Sequence, residues 1–251
     1  MKIALTLNKR EITSAINNKY LEYVHNAGMQ PLSFDQRTQP DLVSSICDGL
    51  ILKGGSDLDP IYYGYDNYAS ISIDPELDGF ERQLLWEFVN AGKPVLGICR
   101  GFQLMFRELA VERTQESKIF GFKYLQHMEG HNQAAKEVDR PYAYHYVHYQ
   151  PQLYDLDSDE VWRERRYLPV NSMHHQGIQK DTGKGSKQFN VNQSPITPLA
   201  WSGQVLEAFS AVEGRMLAVQ WHPEELNDIA LLQNIFRARD NIADALVGDI
   251  L

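Results

Sequence analysis

Short, nearly unbroken apolar runs alternate with segments of helical periodicity through the first half of the chain. Lys2 to Leu7 reads as a strand buried on both faces. Asn18 to Ala27 carries apolar residues at Tyr20, Leu21, Val24 and Ala27, a helical spacing, and Gly28 is placed to end it. Pro31 to Phe34 reads as a second strand, Asp41 to Cys47 as a helix, and Gly49 to Leu52 as a third strand running into Gly54-Gly55. Phe80 to Val89 has an amphipathic helical pattern, Pro94 to Ile98 is strand-like, and Phe102 to Leu109 turns helical again. This rhythm predicts a parallel sheet covered by helices on both faces.

The second half reads as richer in strands, at Tyr142 to Tyr149, Val205 to Phe209 and Met216 to Trp221, with a last helix from Ile229 to Ala238. Tyr62 to Glu76 and Lys180 to Thr197 read as exposed loops. Gly177 to Lys184 nearly imitates a phosphate-binding loop. Five residues separate its glycines where four are needed, and Gly185 stands where Ser or Thr is required, so it too reads as a loop. Neither a repeat nor a linker divides the sequence, and residues 1–251 are taken as one domain.

Composition narrows the function. Hydrophobic residues make up 43% and charged residues 23% of the 251, an ordinary globular balance. The net charge of −9 and the lack of clustered cations argue against a nucleic-acid partner. No apolar run nears the roughly 20 residues that cross a bilayer, and the first seven residues read as a strand, not a signal peptide. Two cysteines make no disulfide framework, which suits the reducing cytoplasm. The tyrosines at 142, 144, 146 and 149 are assigned to strand packing.

Cys99 stands out chemically. The strand ending at Ile98 runs into Gly97-Ile98-Cys99-Arg100-Gly101, the cysteine counterpart of a nucleophile elbow, with a helical pattern directly after it. A thiol at the N-terminus of a helix is favoured as thiolate, and the amide of Arg100 points where an oxyanion would form. Cys47, within Ser45-Ile46-Cys47 on a helix, reads as a structural cysteine. His222, at the end of an apolar strand, is the candidate base, and Glu224 two residues on is its candidate orienter, sharing its face in extended chain. The histidines are not at metal-ligand spacing. His174 and His175 are adjacent and would face opposite sides, and His145 and His148 have no acidic or cysteine companion nearby, so neither metal nor cofactor is expected.

Taken together, Gly-Ile-Cys-Arg-Gly-Phe-Gln, Val-Asn-Ser-Met-His-His-Gln-Gly and Gln-Trp-His-Pro-Glu resemble class I glutamine amidotransferases, and more closely their gamma-glutamyl-gamma-aminobutyrate hydrolase branch. Tyr20-Leu21 through Pro31 and Gly54-Gly55-Ser56-Asp57-Leu58-Asp59-Pro60 match that branch as well. The resemblance implies a flavodoxin-like α/β three-layer sandwich with a mostly parallel central sheet and a Cys99–His222–Glu224 triad. It implies an oxyanion hole from the amides of Gly55 and Arg100, and glutamyl contacts from Gly54, Gln103, Ser172, His174, His175 and Gln176. His145 falls in a segment that the resemblance places near the site.

The chain departs from the family pattern at Lys53, Phe106, Ala110-Val111 and Glu112 to Lys118, which bears on the acceptor side of the pocket. The implied reaction is hydrolysis of a small gamma-glutamyl amide through a glutamyl thioester, by a cytoplasmic enzyme that could form a homodimer. Two other readings stand beside it: a glutaminase subunit feeding ammonia to a separate synthase, and a catalytically retired binding module.

Overall fold

The computed structural model describes residues 1–7, 15–111, 121–149, 167–182, 195–212 and 214–237. Its five core strands are β1 (Lys2–Thr6), β2 (Gln30–Phe34), β3 (Gly49–Leu52), β4 (Val95–Ile98) and β11 (Met216–Val219). All four pairings along β2-β1-β3-β4-β11 are parallel. Helices α1 (Ala15–Asn26) and α6 (Ile229–Arg237) pack on one face, and α2 (Pro40–Ile46), α3 (Pro75–Asn90) and α4 (Arg100–Phe106) on the other. The result is the expected three-layer α/β sandwich.

The apolar runs explain this arrangement. Leu50 and Leu52 of β3 enter the core under α3 and α4, while Ile51 enters the core under α1 and α6. On β11, Met216 and Ala218 face one core, and Leu217 and Val219 the other. A strand buried on both faces has no polar side to alternate with, which is why these strands read as unbroken apolar sequence.

Beyond β11 the sheet turns antiparallel through β10 (Val205–Ala211), β9 (Ile196–Ser202), β6 (His145–Tyr149) and β7 (Tyr167–Val170). A side branch pairs β10 with β8 (Gly177–Lys180), and β8 with β5 (Phe122–Leu125). Several sequence expectations are corrected here. Gly177 to Lys180 is a strand and not a loop, because Gly177 packs against Met128 and Ile178 is buried. Ile196 and Thr197 likewise belong to β9, while residues 183–194 of that expected loop lie outside the described residues.

In the expected loop from Tyr62 to Glu76, Pro75 and Glu76 open α3, and Tyr63 is buried in the core. Strand packing does not account for Tyr142 and Tyr146, which are 62% and 66% exposed. The elbow helix passes from α4 into a wider π-type turn at Arg107–Val111. The last helix is described to Arg237, so its expected end at Ala238 lies outside. No described helix is long and apolar enough to cross a membrane.

Two of the family-pattern departures resolve as packing. Phe106 is fully buried, edge-on to Phe122, Tyr124 and Phe209 in the core. Lys53 is buried with Nζ 3.0 Å from Asn17 Oδ1 and over the Tyr20 ring. The side chains of Ala110 and Val111, and all of Glu112 to Lys118, lie outside the described residues.

The tightest packing lies under the elbow. A Cβ on Gly101 would stand 2.1 Å from the carbonyl oxygen of Leu52, and one on Gly97 would stand 2.5 Å from Met105 Sδ. Gly101→Ala should therefore lower unfolding free energy by at least about 1–3 kcal/mol, the usual cost of overpacking, because the colliding partner is backbone. Urea unfolding measures this, and an unchanged midpoint would contradict the close approach.

Candidate active site

The strand β4 ends at Ile98, and the chain must reverse at once to start α4 over the sheet edge. Cys99 makes that reversal with φ 51° and ψ −100°, a backbone conformation costing of order 1–3 kcal/mol for a non-glycine residue. Three backbone hydrogen bonds hold it there. Cys99 N donates to Val219 O at 2.9 Å, Gln103 N to Cys99 O at 3.2 Å, and Gly101 N to Lys53 O at 3.2 Å. The sulfur-bearing residue sits at the N-cap of α4 and is 8% exposed.

His222 stands just beyond the end of β11, the parallel neighbour of β4, and this ladder brings it to Cys99. Its Nδ1 lies 2.6 Å from Glu224 Oε1. Glu224 is not on extended chain as the spacing argument assumed. Pro223 opens a short helix, α5 (Pro223–Leu226), whose first turn swings the carboxylate back onto the ring.

Asn171 fixes the histidine backbone from both sides: His222 N donates to Asn171 Oδ1 at 2.8 Å, and Asn171 Nδ2 donates to His222 O at 3.0 Å. Burial alone would lower the His222 pKa, but the charges of Glu224 and Cys99 and their hydrogen bonds outweigh it and raise it to about 10. That balance favours the protonated imidazole, flanked by the Glu224 carboxylate and Cys99.

Gly54 leaves the substrate-binding set. Its amide donates to Tyr20 Oη at 3.0 Å, and a Cβ on it would come 2.7 Å from His222 Cε1 and 3.4 Å from Cys99 Cβ. It is bare so that Cys99 and His222 can close on it. Tyr20 Oη also lies 3.5 Å from His222 Nδ1, and burial followed by the charge of Glu224 holds its pKa well above the usual range.

Beside the sulfur lies a pocket of about 250 Å³ lined by Gly55, Cys99, Arg100, Gln103, His174, His175 and Gln176, together with Ser56, Asp57 and Met173. The Arg100 side chain itself turns inward and is buried against Asp78 and Glu81 of α3, leaving its backbone at the pocket. Gln103 donates to Gln176 O and Gln220 Oε1, both at 3.3 Å, and Gln176 donates to Ser70 Oγ at 2.6 Å.

His175 Nε2 lies 3.0 Å from Asp57 Oδ2, and burial raises the Asp57 pKa against the opposing hydrogen bond from Ile71 and the charge of His175. Ser172 is corrected: it is fully buried, does not line the pocket, and spends its hydroxyl on His131 O at 2.6 Å. His174 borders the pocket but turns its ring away, toward Glu207.

Sequence reasoning passed over Tyr20 and Asn171 as site residues, since neither carries the chemistry that a motif search looks for. Asp57 sat in the quoted Gly-Gly-Ser-Asp motif, and its position after two glycines was the available signal. Cys47 is fully buried beneath α2, and burial foremost raises its thiol pKa to about 11.

With this geometry in hand, comparison with known proteins is decisive. The Peptidase C26 family matches residues 4–224. The chain belongs to that family. Its fold and recognition motifs are those of class I glutamine amidotransferase-like proteins.

The family member is 31% identical to the glutamine amidotransferase-like protein YvdE of Lactococcus lactis over 188 residues, 72% of this chain and 67% of that one. It is 26% identical to the gamma-glutamyl-gamma-aminobutyrate hydrolase of Escherichia coli O157:H7 over 229 residues, 86% of this chain and 81% of that one. Among solved structures, the glutaminase domain of Trypanosoma brucei CTPS with bound acivicin superposes with a TM-score of 0.60 at 13% identity, covering 96% and 95% of the two chains. That similarity concerns the fold.

The raised His222 pKa has a measurable consequence. A group with its folded pKa above its unfolded value stabilises fully below the unfolded value, near 6.5, and loses that contribution as pH rises through about 10. The stability difference between the wild type and His222→Gln should therefore shift against the wild type between pH 6.5 and 10. Urea titrations of both proteins across that range check it, and a pH-independent difference would refute the charged imidazole.

Proposed function

We propose that this protein hydrolyses a small gamma-glutamyl amide to glutamate and a free amine, with Cys99 as nucleophile. The observation that carries this reading is the strained Cys99 beside the His222–Glu224 pair, opening on a pocket too small for a drug-sized ligand. The E. coli relative, named for hydrolysis of a gamma-glutamyl amide, supports the substrate class.

The Cys99 thiolate attacks the side-chain carbonyl carbon, and the carbonyl electrons move to oxygen. The amides of Gly55 and Arg100 receive that oxyanion. The tetrahedral centre collapses, the C–N bond breaks, and the His222 imidazolium gives its proton to the departing amine. A glutamyl thioester remains. Neutral His222 then takes a proton from water as its oxygen attacks the thioester. Collapse releases glutamate and returns the thiolate–imidazolium pair.

Recognition of the glutamyl end requires one anion for its ammonium and donors for its carboxylate. Asp57 supplies the first. Ser56, whose buried Oγ makes no hydrogen bond with the described residues, supplies a donor for the second. The enzyme is placed in the cytoplasm, where its thiol stays reduced.

Cys99→Ala should abolish glutamate release from gamma-glutamyl amides while leaving the far-ultraviolet circular dichroism unchanged. Retained activity would overturn the nucleophile. Asp57→Asn should raise KM roughly 10-fold or more, as for loss of a charge-assisted bond, with a smaller effect on kcat. A kcat-only effect would remove Asp57 from substrate recognition. Glutaminase assays with and without candidate synthases separate this hydrolase from an ammonia-delivering subunit.

A further inference from the structure

Behind the pocket wall, four side chains from distant parts of the chain, Glu207 and His174 buried and His131 and His145 partly so, converge without a use in the reaction above. Glu207 of β10 is fully buried, and neither carboxylate oxygen makes a hydrogen bond of acceptable geometry. Around its Oε1 stand His131 Nδ1 at 3.2 Å, His145 Nε2 at 3.7 Å and His174 Nε2 at 3.8 Å, and these three nitrogens are likewise buried without a hydrogen-bond partner among the described residues. Leaving so many strong polar atoms unpartnered in a protein interior is costly, because each loses its hydrogen bonds to water and gains none in return.

The tautomer of His174 sharpens the conflict. Its Nδ1 lies 2.8 Å from the carbonyl oxygen of Gln176, which can only accept, so Nδ1 carries the hydrogen. In the neutral ring Nε2 is then a bare lone pair, aimed at a carboxylate with which it cannot bond. A metal-bound histidine shows the same arrangement: one nitrogen donates to a backbone carbonyl, and the other ligates.

We propose that His131 Nδ1, His174 Nε2 and the Glu207 carboxylate bind one divalent transition-metal ion of the zinc class, with His145 Nε2 closing the fourth position. The ligand atoms of His131, His174 and Glu207 all lie within 4.8 Å of one another. Tetrahedral zinc, with bonds near 2.0–2.1 Å, needs ligand atoms about 3.3 Å apart; the three nitrogens stand 3.2–3.8 Å from Glu207 Oε1, and side-chain movement must bring the nitrogens to that spacing from one another. Nitrogen and carboxylate donors suit zinc over magnesium or calcium, which prefer oxygen shells.

Four protein ligands, with Glu207 and His174 buried, make this a closed, structural centre that takes no part in the reaction. The ion ties β6, β10, the segment at His131 and the pocket wall at His174 together. His131 O already accepts from His174 N at 3.0 Å and from the Ser172 hydroxyl. Removing the ion should therefore loosen Met173, His175 and Gln176, which face the pocket.

The full chain, stripped with a strong chelator and then titrated with Zn²⁺ and separately with Co²⁺, tests the site. The expected result is one ion per chain, a rise in Tm with zinc, and the visible bands of tetrahedral cobalt in a nitrogen and oxygen field. Glu207→Gln and His174→Gln should each weaken binding more than roughly 100-fold, since loss of an outer-shell partner alone costs 10–100-fold. Cys99→Ala should bind as the wild type does, which separates this site from the fate of the hydrolase reading.

The cobalt spectrum of the wild type stands even if a ligand variant fails to fold. Absence of both the bands and the Tm shift in the wild type would overturn the proposal. So would binding that survives both ligand substitutions or vanishes with Cys99→Ala, because the ion would then lie elsewhere.

Discussion

Everything at the site depends on one close approach of bare backbone. Gly101 lies so near the carbonyl of Leu52 that no side chain fits, and Gly97 also lies close against the helix that follows it. These contacts let α4 settle onto β3 and β4 at a distance that leaves Cys99 no ordinary conformation. The strain is offset by the buried aromatic core that α4 joins through Phe102 and Phe106, both packed on Phe209. Buried attachment of Arg100 to Asp78 and Glu81 adds a second anchor. A paired charge in the interior is a weak source of net stability, but it specifies one orientation for the helix.

Around Cys99, held in that conformation, the remaining residues solve a positioning problem. Glu224 and Asn171 hold the ring and the backbone of His222, while Tyr20 holds the turn at Gly54 that both catalytic groups touch. None of these contacts is with solvent, so charge at His222 is balanced by fixed protein groups, Glu224 foremost. Water would otherwise do this at the cost of reorganising in every turnover.

The parallel half of the sheet was legible because strands buried on both faces spell themselves as apolar runs between helices. Of the antiparallel half, only β6 and β10 were legible in outline. The strands β5, β7 and β8 are four residues long, and β7 and β9 carry Pro169 and Pro198, so propensity points away from pairing that tertiary contacts impose. The triad was legible since its members sit in compact motifs, and Ser172 misled because its motif neighbour Gln176 does face the pocket. His131, His145, His174 and Glu207 were invisible as a group: no two stand at ligand spacing, and only the fold assembles them.

The pairing of β4 with β11 has a further bearing on turnover. Cys99 and His222 hang from adjacent strands of one ladder, tied where Cys99 N meets Val219 O. The outer wall at Ile71, Ser72 and Met173 to Gln176 belongs to other segments. Movement of that wall can open and close the pocket without parting sulfur from imidazole. The gate and the chemistry then sit on separate mechanical parts, so each cycle begins with its reacting groups already in register.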